Sequence, residues 1–217
     1  MTFPLLSSLI LLPLLGSLFI FFIKEKTTKN YQSIKYVALF VSFSNFIISL
    51  YLWYLFDNSI SDFQFVEEKV WIKDFINYKV GVDGISILFI ILTTFIVPLC
   101  VVSINSNIKN RLKEFLIAVL IMESFMIGVF CSLDLIIFYL FFEGGLIPMF
   151  LIIGIWGGSR RVYSAFKFFL FTLLGSILML VAIITIYWIS DTTDITILYY
   201  LGIDPSYQKL LWLAFFS

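Results

Sequence analysis

Long apolar runs make up most of the chain, and short polar segments separate them. A transmembrane helix needs about 20 mostly apolar residues. Six runs meet this requirement, and a seventh begins close to the end of the sequence. The pattern predicts an all-α, polytopic bundle of six complete transmembrane helices and the start of a seventh, in a single membrane domain of residues 1–217. The expected helices are about 3–23, 36–56, 85–104, 115–132, 135–156, 165–189 and 210–217.

The composition agrees with a membrane protein. The chain is 61% hydrophobic with a mean hydropathy of +1.06, whereas soluble domains have roughly 45–50% apolar residues. The loops between the runs are too short for a catalytic domain, so any chemistry is expected inside the membrane. The first run has no basic segment before it and no small-residue cleavage site, which indicates a retained helix and not a signal peptide.

The charges are sorted along the chain although their sum is zero. The loops after helices one, three and five are basic, and the loops after helices two, four and six are acidic. Basic loops usually face the cytoplasm or matrix. The sorting therefore predicts that the N-terminus lies on the outer side, which is the intermembrane or periplasmic side. The basic residues are Lys24, Lys26, Lys29, Lys35, Lys109, Arg111, Lys113, Arg160 and Arg161.

The longest loop, Asp57–Gly84, has a broken alternation of apolar and polar residues. This pattern predicts a short β-hairpin on the outer surface, with its turn at the charged Glu67-Glu68-Lys69. Asp83 precedes the third helix at a position typical of an N-cap. A role for Asp83 in proton uptake is the alternative.

Glu143 is the most informative residue, because it lies in the middle of an apolar run. A carboxylate at the centre of a membrane helix costs about 2.5–3.5 kcal/mol, and such residues usually mark an ion or proton pathway. Gly144, Gly145 and Pro148 follow it, and they predict a local break that gives access to the acid. Close helix packing at the two glycines is the simpler interpretation. Tyr139, one turn earlier, is a potential hydrogen-bond donor to Glu143.

Three further charged residues are candidates for the site. Glu123 lies near mid-depth on the fourth helix, and it is either a second proton-binding group or a neutral carboxyl bonded to a neighbouring helix. Lys167 opens the sixth helix, where a lysine usually extends to the interface. The alternative is that Lys167 turns inward and acts on a nearby acid. Asp134 is expected to be a solvated cap.

The sequence has no recognisable cofactor or metal motif. It contains no His, and Cys100 and Cys131 are too far apart for a zinc or iron–sulfur spacing. It also lacks the glycine-rich nucleotide motifs. We therefore expect no redox cofactor, metal or nucleic acid on this chain.

Several motifs resemble the subunit 4 family of respiratory complex I, the proton-translocating NADH:quinone oxidoreductase. They are LDLIIFYLFFEGGLIPMFLIIGIWGG, SAFKFFLFTLLGSILML and KLLWLAFFS, with GVDGISILFIILTTFIVPLC and MES before them. The resemblance covers nearly the whole chain and is most specific from Gly81 onward. It implies that the chain is the N-terminal part of an antiporter-like membrane subunit. Such a subunit transfers protons, and quinone reduction elsewhere in the complex drives the transfer.

The resemblance also implies roles for individual residues. Glu143 matches the family's helix-five glutamate, which pairs with a lysine on a broken helix seven. Glu123 matches its helix-four glutamate, and Lys167 lies where many members have a lysine. The sequence stops at Ser217, before the helix-seven lysine, so a fragment, a split gene product or a truncated reading frame is expected.

The implied cofactors and partners lie on other chains. NADH, FMN, iron–sulfur clusters and quinone are expected on other subunits of the complex. The expected partners are other membrane-arm subunits, the lipid bilayer and, if the gene is split, a companion chain that carries helix seven onward. The alternatives are a subunit of a multi-subunit cation/proton antiporter and a structural membrane-arm fragment without transport. The amino-acid usage favours the mitochondrial inner membrane, with a bacterial inner membrane as the alternative.

Overall fold

The computed structural model describes residues 4–23, 28–72, 76–104, 111–202 and 205–216. Six helices in this part of the chain are long and apolar enough to cross a membrane. The prediction of a polytopic helical bundle is therefore confirmed, while the side on which the N-terminus lies stays a prediction. The elements are α1 Leu5–Phe22, α2 Thr28–Leu55, β1 Gln64–Ile72, β2 Ile76–Val82, α3 Ser86–Ser103, α4 Leu112–Cys131, α5 Leu135–Trp156, α6 Arg161–Ser190, α7 Ile195–Leu198 and α8 Pro205–Phe215.

The first four helices form the packed centre of the structure. α4 contacts α1, α2, α3 and α5, and α6 then packs on the far side of α5. Two apolar clusters fill the space between α1 and α4, one at each end of the bundle. α5 and α6 keep many large apolar side chains exposed, as expected of helices that face lipid or further helices.

Acidic side chains hold the beginnings of the odd-numbered helices α1 and α3. Glu67 of β1 accepts hydrogen bonds from the backbone N–H groups of Leu6, at 2.8 Å, and Ser7, at 3.1 Å. Asp83 accepts from the N–H of Ser86 at 2.7 Å, and the Ser86 hydroxyl accepts from the N–H of Asp83. The capping role predicted for Asp83 is confirmed. A carboxylate at a helix N-terminus is stabilised by unpaired N–H groups and by the helix dipole.

Lysines hold the opposite ends of the same two helices. Lys113 donates to two backbone carbonyls at the end of α1, and Lys35 donates to two at the end of α3. Free carbonyls at a helix C-terminus favour a cation. The charge sorting along the sequence thus has a local cause in helix capping, in addition to any effect on membrane orientation.

The β-hairpin is present, but its turn is not where the charges predicted it. β1 and β2 pair in antiparallel fashion, with Glu67 opposite Val80 and Lys69 opposite Tyr78. The predicted turn at Glu67-Glu68-Lys69 is therefore wrong, and the connection falls at 73–75, outside the described residues. A charged segment can remain in a strand here because Glu67 binds the N-terminus of α1.

The segments that follow α4 and α6 are joined to the hairpin and to each other by backbone hydrogen bonds. Leu133, between α4 and α5, donates its N–H to the carbonyl of Lys79 at 3.0 Å, and its own carbonyl accepts from Ile195 at 2.9 Å. Asp134 caps α5 by accepting from the N–H groups of its first turn. The cap is confirmed, but the prediction that Asp134 is solvated is wrong. Its carboxylate is buried because Thr193 lies over it and donates to it at 2.5 Å.

Candidate functional site

Glu143 lies in the middle of α5, as the ninth of its 22 residues. The helix continues without interruption from Leu135 to Trp156, through Gly144, Gly145 and Pro148. The predicted break of the helix at this point is therefore wrong. Pro148 removes a single backbone donor, and the surrounding helix and its neighbours absorb this loss.

The two glycines after Glu143 permit close contact with α4. A Cβ added to Gly144 would lie 3.1 Å from the ring of Phe125, and one added to Gly145 would lie 3.7 Å from the Phe125 side chain. About one turn away, Gly128 of α4 lies against the ring of Phe141 of α5. The packing interpretation of Gly144 and Gly145 therefore fits the structure, because small residues let membrane helices approach.

The Glu143 side chain is half-buried, and one of its oxygens lacks a donor. Oε2 is buried and has no hydrogen-bond partner among the described residues. Tyr139 was a candidate donor, but its hydroxyl forms no hydrogen bond to this oxygen. A buried carboxyl oxygen without a donor costs free energy. Glu143 therefore has an open position for a donor that these residues do not supply.

Glu123 lies in a different environment, with only 1% of its surface exposed. Its Oε1 accepts a hydrogen bond of 2.9 Å from Nδ2 of Asn45 on α2. Its Oε2 is buried and has no partner among the described residues. The next residue, Ser124, binds the carbonyl of Ile10 on α1. Glu123 thus belongs to the polar contacts that join α4 to α1 and α2.

The two acids face different neighbours although both lie near the middle of their helices. Phe125, which contacts Gly144 next to Glu143, is two residues after Glu123, or about 200° around α4. Glu123 therefore points toward α2 while Phe125 points toward α5. The structure brings the two helices together, but it does not bring the two carboxyl groups together on one shared face.

Lys167 lies near the beginning of α6 and is exposed. Within the described part of the chain, the one ion pair joins Lys79 to Asp194, far from Lys167 in the sequence. Glu143 and Glu123 consequently have no ion-pair partner among these residues. The exposed position agrees with a lysine that extends to the interface, and an inward role would require a contact that this part of the chain does not form.

A group of uncharged polar residues was missed in the sequence. Asn45, Ser49 and Thr94 are fully buried, and Ser49 and Thr94 form a 2.7 Å hydrogen bond between α2 and α3. Ser42 is buried on the same face of α2. The spacing of Ser42, Asn45 and Ser49 at i, i+3 and i+7 places them on one helix face. That spacing could have indicated a polar contact inside the bundle.

The site consists of two carboxyl groups inside the spans, and the described residues offer no set of metal ligands. Burial of a carboxyl group favours its neutral form, and a nearby cation favours its charged form. Such a group responds to the arrival or departure of a cation by exchanging its proton. Fold and site together define a polytopic membrane protein with titratable groups inside its spans.

Comparison with known proteins agrees with this description. A family model for "NADH:quinone oxidoreductase/Mrp antiporter, TM" matches residues 132–217. NADH-ubiquinone oxidoreductase chain 4 of Marchantia polymorpha is 48% identical over 214 residues, which are 98% of this chain and 43% of that protein. NADH-quinone oxidoreductase subunit M of Rhodobacter capsulatus is 51% identical over 199 residues, which are 86% of this chain and 38% of that protein.

The fold also resembles a solved structure. A chain in the respiratory complex I of Thermus thermophilus superposes with a TM-score of 0.81 at 24% identity, over 96% of this chain and 42% of that one. The chain belongs to the family of NADH:quinone oxidoreductase membrane subunits that includes chain 4 and subunit M. It spans less than half the length of these relatives.

Proposed function

We propose that the chain is part of a proton-translocating membrane-arm subunit of NADH:ubiquinone oxidoreductase, in which Glu143 takes up and releases a proton. The observation that carries the proposal is the buried Oε2 of Glu143, which has no donor among the described residues. A structural carboxyl would be expected to have its hydrogen bonds satisfied. A carboxyl group that transfers protons needs an open hydrogen-bonding position, because its partner binds at one stage of the cycle and leaves at another.

The partner that fits this position is a cation. A lysine from a further transmembrane segment, as the family resemblance implies, would stabilise the carboxylate, and its withdrawal would favour the protonated acid. A conformational change that moves the lysine would then couple distant quinone reduction to proton uptake and release. Lys167 is exposed on the neighbouring α6 and forms no ion pair among the described residues, so a secondary role for it in the path would require its side chain to turn inward.

The remainder of the enzyme is expected on other chains. NADH, FMN, iron–sulfur clusters and quinone would bind to other subunits, and the neighbours of this chain would be the other membrane-arm subunits. A companion chain would supply the lysine-bearing segment if the gene is split. We place the assembly in the mitochondrial inner membrane, with a bacterial inner membrane as the alternative.

A second candidate function is suggested by the family model, whose description also includes Mrp antiporters. In a cation/proton antiporter, Glu143 would bind the proton in exchange for Na⁺ or K⁺. The two functions predict different driving reactions. Proton transfer by a complex I subunit requires electron transfer from NADH to quinone, whereas exchange by an antiporter requires a cation gradient and no electron transfer.

The proposal is tested by Glu143→Gln in the assembled membrane complex. Gln keeps the size and some hydrogen bonding of Glu but cannot exchange the proton, so coupled quinone reduction and proton pumping should fall by at least about tenfold. Glu143→Asp should retain more activity. Glu68→Gln, on the exposed strand β1, is the matched control and should have no effect. Normal pumping by a fully assembled Glu143→Gln complex would rule out the proposed role.

A further inference from the structure

A buried polar layer lies among α2, α3 and α4, and its hydrogen bonds can be counted. It contains Ser42, Asn45 and Ser49 of α2, Thr94 of α3 and Glu123 and Ser124 of α4, all of them buried. The layer has one carboxyl, one amide and four hydroxyl groups. In the apolar interior of a membrane bundle, each of these groups needs a partner.

The hydroxyl groups already use their protons. Ser42 donates to the carbonyl of Leu39, and Ser124 donates to that of Ile10. Ser49 and Thr94 bond to each other and to carbonyls of their own helices. A hydroxyl has one proton to donate. The four hydroxyls therefore have acceptors without Asn45 or Glu123.

Two oxygen atoms of the layer remain without a donor. They are Oδ1 of Asn45 and Oε2 of Glu123, each buried and each without a partner among the described residues. Both belong to the pair that is already joined by the 2.9 Å hydrogen bond from Asn45 Nδ2 to Glu123 Oε1. An amide and an ionised carboxylate cannot satisfy both atoms, because the carboxylate has no proton to donate.

Among the described residues, no cation compensates Glu123 from the helices around it. The span of α1 has no titratable side chain at all, and the cations nearest on α2 and α4 are Lys35 and Lys113. Both lysines bind backbone carbonyls at the helix ends. α3 contributes Cys100, which is exposed, and α5 contributes Tyr139 and Glu143, neither of them a cation. An unpaired carboxylate in this position is strongly disfavoured.

We propose that Glu123 is held as a neutral carboxylic acid whose Oε2–H donates to Oδ1 of Asn45, in a reciprocal acid–amide pair. One proton then satisfies both unpaired oxygens, and the pair has two hydrogen bonds in place of one. Asn45 is the positioning residue: it fixes the carboxyl plane of Glu123 and the oxygen that carries the proton. Because both groups are planar, the second bond needs only the coplanar arrangement that the first already favours.

The consequence for transport rests on the proposed function, whereas the protonation itself does not. The proton on Oε2 is held by its hydrogen bond to Asn45, so its release from Glu123 requires α2 and α4 to separate at Asn45. Glu123 would then store a proton beside the path of Glu143 and would not pass one at every turnover. Glu123 and Glu143 would then have different roles, although the sequence presents both as acids in the middle of apolar helices.

Infrared spectroscopy tests the proposal on the purified 217-residue chain in lipid nanodiscs. The spectrum of the wild type minus that of Glu123→Gln should contain the C=O stretching band of a protonated, hydrogen-bonded carboxylic acid at neutral pH. Asn45→Leu removes both hydrogen-bonding atoms at similar volume. The acid band, isolated by subtracting Asn45→Leu/Glu123→Gln, should then shift to higher frequency.

Ser124→Ala is the matched control, because Ser124 is adjacent to Glu123 but binds Ile10. It should leave the band unchanged. Carboxylate bands in place of the acid band in the wild type would overturn the proposal, including the case in which Glu123 is ionised and holds a Na⁺ ion. An unshifted band in Asn45→Leu would also overturn it. The wild-type measurement decides by itself if Asn45→Leu does not fold.

Discussion

Gly144 of α5 lies directly against the ring of Phe125 of α4, where an added Cβ would come within 3.1 Å of the ring. This contact places the backbone next to Glu143 against an aromatic side chain that is two residues from Glu123. It holds α4 and α5 together at the depth of both acids. The same contact turns the two carboxyl groups toward different neighbours, because Phe125 and Glu123 leave α4 on nearly opposite sides.

The glycine contacts predict that alanine substitutions reduce the stability of the bundle to different degrees. At Gly128 a Cβ would be 2.6 Å from the ring of Phe141, so Gly128→Ala should force a shift and destabilise the bundle by about 1–3 kcal/mol. At Gly145 the nearest atom would be 3.7 Å away, so Gly145→Ala should be neutral or stabilising by about 0.5–1 kcal/mol. Gly144→Ala should fall between them.

Thermal unfolding in detergent, followed by tryptophan fluorescence, measures this order. Gly145→Ala is the internal control, because it makes the same chemical change on the same helix as Gly144→Ala. An equal loss of thermal stability in Gly145→Ala and Gly128→Ala would show that the helices do not pack as described.

The ion pair between Lys79 and Asp194 predicts a specific sensitivity to acid. Nζ of Lys79 lies 2.5 Å from Oδ2 of Asp194, and it joins β2 to the segment after α6. Burial alone would raise the pKa of Asp194, but hydrogen bonds from Lys79 and Thr196 and the charge of Lys79 leave it below its ordinary value of 3.8. The stabilisation is therefore complete above about pH 3.8 and is lost as the pH falls through the lower folded-state pKa.

Replacement of Asp194 by Asn should remove this pH-dependent part of the stability. The expected loss at neutral pH is on the order of 1–3 kcal/mol, because Lys79 keeps its charge without a partner. Unfolding midpoints measured from neutral pH to below pH 3 should converge for the wild type and Asp194→Asn at the acid end. Asp191→Asn is the control, since Asp191 is exposed and Asn tolerates its left-handed φ of 52°. Parallel profiles for the wild type and Asp194→Asn would contradict the assignment.

The helices could be predicted from the sequence because the membrane imposes one simple rule on length and polarity. Glu143 was evident for the same reason, since a charge in an apolar run is conspicuous. Asn45 was not evident. A single amide in a helix is unremarkable until its partner is known, and Glu123 lies 78 positions away.

The errors at Glu67 and Asp134 have a related cause. Both were taken for surface residues because they are charged, yet the carboxylate of each is bound by residues far away in the sequence. Thr193, which covers Asp134, is 59 positions away, and the N–H groups that bind Glu67 are about 60 positions away. Local patterns cannot reveal such contacts, whereas the pattern of apolar runs needs no distant partner.

The orientation in the membrane is the third prediction. Arg160 lies in the loop between α5 and α6, and Arg161 is the first residue of α6. The loop after α2 contains Asp57 and Asp62. The first should face the matrix or cytoplasm and the second the opposite side. In a Cys100→Ser background, an impermeant maleimide added from the outer side should label Ser61→Cys but not Ser159→Cys, both positions being exposed. The reverse labelling would require the opposite topology.

The last prediction concerns transport by the isolated chain. Within the described residues Glu143 has no cation beside it, Glu123 faces α2 and the space between α1 and α4 is filled by apolar clusters. A proton leaving Glu143 would have to pass the apolar clusters at the ends of the bundle, so we expect no transmembrane path. Liposomes that contain the chain should therefore dissipate an imposed pH gradient no faster than protein-free liposomes, and a protonophore added at the end should collapse the gradient.

The same experiment on Glu143→Gln separates specific transport from leakage, because a leak around the protein does not depend on a titrating group. A flux in the wild type that Glu143→Gln abolishes would show that these helices alone form a working path, and Glu143 would then need no partner from another segment.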